Sequence, residues 1–106
     1  MHSELLTDKE LDELSAELAN WDVSAGGLER SYDFGNFVKA FSFMAGTALQ
    51  CERLNHHPEW SNVYGKVHVR LVTHDRSGVT TLDATLARLM EELSSACEHW
   101  QSLSLV

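Results

Sequence analysis

Residues 58–73, PEWSNVYGKVHVRLVT, carry the most informative pattern in this chain. Two strand-like runs, Pro58 to Tyr64 and Val67 to Thr73, lie on either side of Gly65-Lys66. In the second run apolar and polar residues alternate, which is typical of a strand with one buried face and one wet face. A two-residue connection that begins with glycine suits a tight antiparallel turn. The sequence therefore predicts a β-hairpin over this stretch.

The predicted hairpin also places two histidines. With Gly65-Lys66 as the turn, Tyr64 pairs with Val67, and the same register puts His57 opposite His74. Opposed residues on one face of an antiparallel pair hold their Cβ atoms about 4.5–5.5 Å apart. We therefore expect His57 and His74 to project side by side. The second strand has a predicted core face and a predicted open face, formed by Val67, Val69 and Leu71 and by Lys66, His68 and Arg70, respectively.

A helix and a second strand pair are predicted before the hairpin. Thr7-Asp8-Lys9-Glu10 forms a capping box, and the apolar spacing after it predicts a helix from about Thr7 to Ala19. Trp21 to Val23 is a short predicted strand. Ser24 to Gly27 is a predicted turn, because paired glycines adopt positive φ without strain. Alternation over Leu28 to Phe34 predicts the next strand.

Two further helices complete the predicted order. The first spans about Asn36 to Leu54, and Glu52 continues its apolar stripe. The second begins at Thr80, with Asp83 completing another capping box. The residues expected to be buried are Phe37, Phe41, Met44, Ala45, Ala48 and Leu49 in the first, and Leu82, Leu86, Leu89, Leu93, Ala96 and Trp100 in the second. The expected fold is α+β, a small four-stranded antiparallel sheet with three helices on one face.

Composition excludes several classes of partner. The chain has 106 residues, which predicts a single domain over 1–106, and its net charge is −8. Its 8 Lys and Arg are scattered, so neither direct nucleic-acid binding nor attachment to an anionic membrane is expected. The start of the chain lacks a signal-peptide pattern, and no apolar run approaches the about 18 residues that a membrane span needs. Cys51 and Cys97 are expected to be reduced thiols of a cytoplasmic protein.

Three of the 6 histidines are candidates for chemistry: His56, His57 and His74. Histidine is the side chain best suited to proton transfer near neutral pH. Taken alone, adjacent histidines in a loop are more often solvated or structural. Zinc is a further alternative because Glu52 supplies a fourth suitable ligand. Neighbouring histidines seldom chelate one ion, however, and no HExxH motif or cysteine ligand is present, so no metal is expected.

A longer pattern joins these residues. Glu52-xxx-His56-His57-Pro58-Glu59-Trp60 is followed by Tyr64, by Lys66-Val67-His68 and by Thr73-His74-xxx-Gly78-Val79-Thr80-xx-Asp83. This pattern resembles the signature of the pterin-4a-carbinolamine dehydratase family, and the resemblance extends over about Leu5 to Leu93. Departures are Asn55, where many members carry Asp, and Val72, where a small polar residue is common.

The resemblance implies a metal-free and cofactor-free hydro-lyase. It would dehydrate 4a-hydroxytetrahydropterin to quinonoid dihydropterin and water, in tetrahydropterin recycling beside an aromatic amino-acid hydroxylase. The implied catalytic residues are His56, His57 and His74. The implied substrate-binding residues are Glu52, Asn55, Pro58, Trp60, Thr73 and Asp75.

The resemblance also implies an assembly, a homodimer or a homotetramer. The open strand face and the apolar tail Leu103 to Val106 are the surfaces expected to form its interface. The alternative interpretation is a non-catalytic protein-binding module, either a transcription-factor dimerisation cofactor or an assembly or chaperone-like protein. The intact set of histidines, with Pro58 and Trp60, favours the enzyme.

Overall fold

The computed structural model describes residues 3–99, in which three helices and four strands follow the predicted order. They are α1 (Asp8–Glu17), β1 (Asp22–Ser24), β2 (Gly27–Asp33), α2 (Phe37–Leu54), β3 (Glu59–Val63), β4 (Lys66–Leu71), a 3₁₀ turn (His74–Arg76) and α3 (Thr81–His99). No helix in this part of the chain is long and apolar enough to cross a membrane.

The four strands form one antiparallel sheet in the order β1-β2-β4-β3. Its helix-covered face carries Val67, Val69 and Leu71, each no more than 1% exposed, whereas Lys66 and His68 on the other face are exposed. The predicted α+β architecture, with the helices on one face and the other face open, is confirmed. On the open face β4 lies between β2 and β3, so its outward side chains have neighbours on both strands.

The register of the β3–β4 hairpin differs from the prediction. The ladder runs from Val63↔Lys66 to Glu59↔Arg70, so the turn consists of the two residues between Val63 and Lys66. The predicted turn was one residue too far along the chain, and every predicted pair is therefore displaced by two residues. The ladder ends at Glu59, and the expected cross-strand pairing of His57 with His74 is wrong.

The surroundings of Gly65 explain the position of this turn. A Cβ on Gly65 would lie 2.7 Å from the backbone nitrogen of Asn36, so only glycine fits there. The Phe34 N–H donates to the Gly65 carbonyl over 2.8 Å, which fixes the turn against the end of β2. Tyr64, the first residue of the turn, has a positive φ of 54°. Close backbone approach, which the hairpin sequence alone does not reveal, therefore sets the register.

The core face of α2 also differs from the predicted stripe. Ala40, Phe43, Thr47 and Cys51 are buried, each no more than 1% exposed. Most of the predicted stripe is exposed instead: Phe37, Phe41, Ala45, Ala48 and Leu49, with Val38 beside them, whereas Met44 is half-buried. The helix is apolar on two sides, and periodicity cannot tell which side packs on its own sheet. Glu52 does continue the predicted stripe, but that stripe is on the exposed side of the helix, and Glu52 is exposed with it.

The two outer helices follow their predicted starts. Thr7 and Glu10 form the expected capping box at the beginning of α1. On α3 the buried residues are Asp83, Ala84, Leu86, Ala87, Met90 and Ser94. Of the stripe predicted there, Leu86 is buried, Leu82, Leu89 and Leu93 are half-buried, and Ala96 is exposed. Trp100 and the tail Leu103 to Val106 lie outside the described residues.

Arg30 is a charged residue on the core side of β2, and the structure explains how it is accommodated. Its Nη1 lies 2.7 Å from Oε1 of Glu91 on α3, and its guanidinium carbon lies 4.1 Å from the centroid of the Tyr32 ring. The Trp21 indole N–H donates to the same carboxylate oxygen. Burial of the phenol raises the pKa of Tyr32, and the Glu91 carboxylate adds to this effect.

Candidate active site

Asp83, in the first turn of α3, is the buried centre of the candidate site. Its side chain is 0% exposed. Oδ2 accepts hydrogen bonds from the Thr80 backbone N–H and from the Thr73 hydroxyl, each over 2.8 Å. Oδ1 lies 2.5 Å from Nε2 of His56. A buried carboxylate needs such partners, and here they tie the end of α2, the segment after β4 and the start of α3 together.

His56 reaches Asp83 because α2 ends sharply. Asn55 adopts the left-handed conformation, with φ of 53°, and the His56 N–H then donates to the Cys51 carbonyl over 3.1 Å. This geometry is a common helix C-terminus that reverses the chain direction. It turns the His56 side chain inward, where only 11% of it is exposed. The Asn55 side chain itself is exposed.

His57 lies at the surface beside the last turn of α2. Its side chain is 60% exposed, and its Nε2 lies 3.4 Å from Oε2 of Glu52, which is 80% exposed. The exposed carboxylate at the end of the helix is therefore directed towards a histidine. Pro58 and Trp60, which follow, are both half-buried, and Trp60 packs against the hydrophobic core.

His74 is placed by a small closed loop rather than by the hairpin. Thr73 and Gly78 form an isolated antiparallel bridge, and the Ser77 N–H donates to the His74 carbonyl over 3.0 Å. His74 projects from this loop with 75% of its side chain exposed, and its Nε2 lies 3.5 Å from Oε1 of Glu59. Asp75, the next residue, is exposed.

Two carboxylates therefore join the histidine-bearing segments. Asp83 connects His56 to Thr73, whose neighbour is His74. Glu59, two residues after His57, contacts His74 directly. With Glu52, each of the three histidines faces one carboxylate through its Nε2. The hydrogen bond to Asp83 fixes the orientation of the His56 ring and leaves its Nδ1 for a ligand. Glu52 and Glu59 lie at ion-pair distance from His57 and His74.

Two of these carboxylates had not been predicted as part of the site. Asp83 was interpreted as a capping residue only; it does cap α3, but the cap occupies one of its two oxygens. The other oxygen binds His56. The sequence signal for this second role of Asp83 was the motif, which ends at this residue. Glu59 also stands within the motif, but its contact with His74 depends on the loop after β4, which no local pattern describes.

The residues described contain no group of three or more His, Cys, Asp or Glu side chains arranged to hold a metal ion. Thr73, an expected substrate-binding residue, has its hydroxyl committed to Asp83 and its N–H to the Gly78 carbonyl. Its place in the site is to hold the buried carboxylate. The predicted site residues otherwise lie around the end of α2, the start of β3 and the 3₁₀ turn.

Comparison with known proteins identifies relatives over nearly the whole chain. The profile of the family described as pterin 4 alpha carbinolamine dehydratase matches residues 4–93. A Prochlorococcus marinus (strain MIT 9515) protein with that name is 47% identical over 93 residues, 88% of this chain and 97% of the relative. One from Rhizobium rhizogenes (strain K84 / ATCC BAA-868) is 47% identical over 97 residues, 90% of this chain and 96% of the relative.

Solved structures agree with these relatives. A protein described as a transcriptional coactivator/pterin dehydratase from Brucella melitensis has a TM-score of 0.81 and 42% identity, covering 86% of this chain and 99% of that one. A pterin dehydratase-like protein described as a RuBisCO assembly factor in the alpha-carboxysome has a TM-score of 0.58 at 16% identity, covering 70% and 86%. The second likeness shows the fold alone.

The relatives are dehydratases, which defines the class of this protein as an enzyme of the hydro-lyase type. The chain belongs to the pterin-4-alpha-carbinolamine dehydratase family, and the resemblance found in its motif is confirmed.

Proposed function

We propose that this enzyme converts 4a-hydroxytetrahydropterin to quinonoid dihydropterin and water by general acid–base catalysis with histidines. The observation that supports this mechanism is the pairing of His56, His57 and His74 with three separate carboxylates. A positioned imidazole with an oriented ring is the group that such a reaction requires near neutral pH.

The chemistry explains why histidines are sufficient. The C4a–O bond of the carbinolamine breaks, and hydroxide is a poor leaving group, so an acid protonates the oxygen as it departs as water. A base removes the proton from N5, and the electrons of the N5–H bond form the new C4a=N5 double bond. The reaction moves two protons and no net electrons. General acid–base groups typically contribute about 10²–10⁴-fold each to such steps.

Exposure supports different roles for the three histidines. His57 and His74 are 60% and 75% exposed and open to a bound substrate, so we propose them as the acid–base pair. His56 is 11% exposed and held by Asp83, which suits a residue that binds the substrate in a fixed orientation. Glu52 would orient His57. Substrate contacts are proposed for the residues around these groups, namely Asn55, Pro58, Trp60 and Asp75. Thr73 would contribute to binding through Asp83, which its hydroxyl holds.

The product of this reaction needs reduction by a separate enzyme before it can be used again. We therefore propose a place in tetrahydropterin recycling, next to an aromatic amino-acid hydroxylase that generates the carbinolamine. A cytoplasmic location is part of this proposal. It is supported by the two free thiols, Cys51 and Cys97, which suit a reducing compartment.

We also propose that the enzyme is a homodimer or homotetramer joined through the outer face of α2. Phe37, Val38, Phe41 and Leu49 are 46%, 55%, 55% and 72% exposed on that helix. A contiguous apolar patch of this kind marks an interaction surface. A second copy offers the same uncharged patch, whereas the open face of the sheet exposes mainly polar and charged side chains.

The test of the activity is a dehydration assay with chemically or enzymatically generated 4a-hydroxytetrahydropterin, followed by ultraviolet absorbance in the presence of a chelator. We expect acceleration over the uncatalysed rate, and loss of that acceleration when His56, His57 and His74 are all replaced by Ala. Well-folded protein without acceleration would contradict the proposal. That result would favour the alternative, a protein-binding module. The Brucella protein is described as a transcriptional coactivator as well as a dehydratase, so this alternative is worth testing.

A further inference from the structure

Arg70 on β4 lies on the open face of the sheet between two glutamates of the neighbouring strands. In the ladders it pairs with Glu59 on β3 and with Glu29 on β2. Its Nε lies 3.7 Å from Oε1 of Glu59, and its Nη2 donates to the Gly26 carbonyl over 2.9 Å. The guanidinium is therefore anchored to the β1–β2 turn at one end and faces Glu59 at the other.

Gly27 lies directly against this guanidinium. A Cβ on Gly27 would overlap Nη1 of Arg70, so a residue with a side chain would displace the guanidinium. The glycines of this turn had been expected to supply positive φ, but within residues 3–99 only Gly35 among the glycines has it. The contact of Gly27 is with the end of a flexible side chain, so a larger residue at position 27 would move Arg70 and leave the backbone in place.

The Glu59 oxygen that faces Arg70 also faces His74, since Oε1 lies 3.5 Å from the His74 Nε2. An ionised carboxylate only accepts hydrogen bonds, so of the two neutral tautomers of His74 it favours the one with the proton on Nε2, in which Nδ1 is the free base. Asp75 and Arg76 are the charged neighbours in the same turn, and the Arg76 Nε donates to the Ser3 carbonyl.

We propose that Glu59, held in place by Arg70, is the positioning residue of His74. It orients the ring and keeps the proton on Nε2, so that Nδ1 is the atom of His74 that exchanges a proton with the substrate. The inference rests on the proposed dehydration. Glu59 does not touch the reacting atoms; it acts through His74, and Arg70 acts through Glu59.

The test replaces Glu59 by Gln, which has the same shape but can donate as well as accept. Long-range ¹H–¹⁵N spectra report the tautomer of each histidine in the full-length enzyme. We expect His74 to change from mainly the Nε2–H form to a mixture, while kcat for the carbinolamine falls roughly 10-fold, as for groups that orient a metal-ligating histidine, and KM changes less than kcat. Unchanged His74 signals in a folded Glu59→Gln enzyme would overturn the proposal.

Glu29 provides a matched control on the same face. Its Oε1 lies 3.2 Å from Nε2 of His68, and both side chains are about half exposed, at 45% and 50%. Glu29→Gln should alter the His68 signals and leave turnover at the wild-type level. Equal loss of turnover in Glu29→Gln and Glu59→Gln would point to a general charge effect and overturn the positioning role.

A double-mutant cycle tests the contribution of Arg70. Arg70→Gln alone should shift the His74 signals, but it should add nothing in the Glu59→Gln background, because Arg70 acts through Glu59. Additive shifts would overturn that link. The spectra are independent of activity: an inactive wild-type enzyme would contradict the dehydration itself, whereas an active Glu59→Gln enzyme with unaltered His74 would contradict the positioning role alone.

Discussion

Nε2 of His56 lies 2.5 Å from Oδ1 of Asp83, and the histidine is 11% exposed while the carboxylate is fully buried. The other two histidine–carboxylate contacts of the site are longer and exposed. The site thus has one buried pair at its base and two exposed pairs at its rim. A buried, hydrogen-bonded ring suits substrate binding, and exposed rings suit proton transfer.

Asp83→Asn should impair both folding stability and turnover. Asn presents only one acceptor oxygen to three donors, so at least one buried group loses its partner, at a cost of about 1–3 kcal/mol in the free energy of unfolding. His56 also loses the carboxylate that orients it, and kcat/KM should fall roughly 10–100-fold, by analogy with the partners that orient metal-ligating histidines. Urea unfolding and the dehydration assay measure the two effects. Asp12→Asn, on an exposed position of α1, should change neither.

Single histidine replacements should separate binding from chemistry. His57→Gln and His74→Gln should each lower kcat, by about 10²–10⁴-fold if no other histidine substitutes, because each removes a proton-transfer group. His56→Gln should raise KM more than it lowers kcat. His68→Gln is the matched control, since His68 is also exposed and also faces a carboxylate, but outside the site. Wild-type steady-state kinetics in both His57→Gln and His74→Gln would exclude them as the acid–base pair.

The sequence predicts the order of elements well because the signals are local. The Thr7 capping box and the alternation along β4 each act within a few residues, and both are found in the structure. The hairpin register was wrong because its decisive contact is not local: Gly65 packs against Asn36, which is far away in sequence.

In the site, too, local signals were predictable and non-local contacts were not. The motif identified the three histidines, but the second role of Asp83 and the contact of Glu59 with His74 depend on how the ends of α2, β4 and α3 meet. The buried face of α2 could not be predicted for another reason. Both of its sides are apolar, and the side bearing Phe41 and Leu49 is left exposed in the single chain.

The exposed side of α2 should control the oligomeric state. Phe41→Glu and Leu49→Glu each place a charge in the proposed interface, where an unpaired buried charge is strongly unfavourable. We expect the wild-type protein to be a dimer or tetramer and both variants to be monomers, as measured by light scattering coupled to size-exclusion chromatography. Val63→Glu is the control, because Val63 is 73% exposed on β3. A monomeric wild-type protein would refute the interface.

The two cysteines should react slowly with thiol reagents in the native enzyme. Burial raises the pKa of Cys51, and the neighbouring Glu52 charge adds to this; burial also raises the pKa of Cys97. A raised pKa means less thiolate, the reactive form, at a given pH. At pH 8 we expect Ellman's reagent to label Cys51 only after unfolding and Cys97 slowly, with the Cys97 rate rising at higher pH. Rapid labelling of Cys51 in folded protein would contradict its burial.

Gly65→Ala should destabilise the protein through the contact that sets the hairpin register. The added methyl group would lie 2.7 Å from the Asn36 nitrogen and 3.0 Å from Gly35 backbone atoms, which cannot move as a flexible side chain can. Overpacking of this kind typically costs about 1–3 kcal/mol in the free energy of unfolding, measurable by urea denaturation. Gly26→Ala is the control, because its Cβ would meet nothing closer than 3.9 Å. Gly65 also holds the start of α2 against the hairpin. The free energy of unfolding should therefore fall clearly more in Gly65→Ala than in Gly26→Ala. Equal stability of the two variants would mean that the register has another origin.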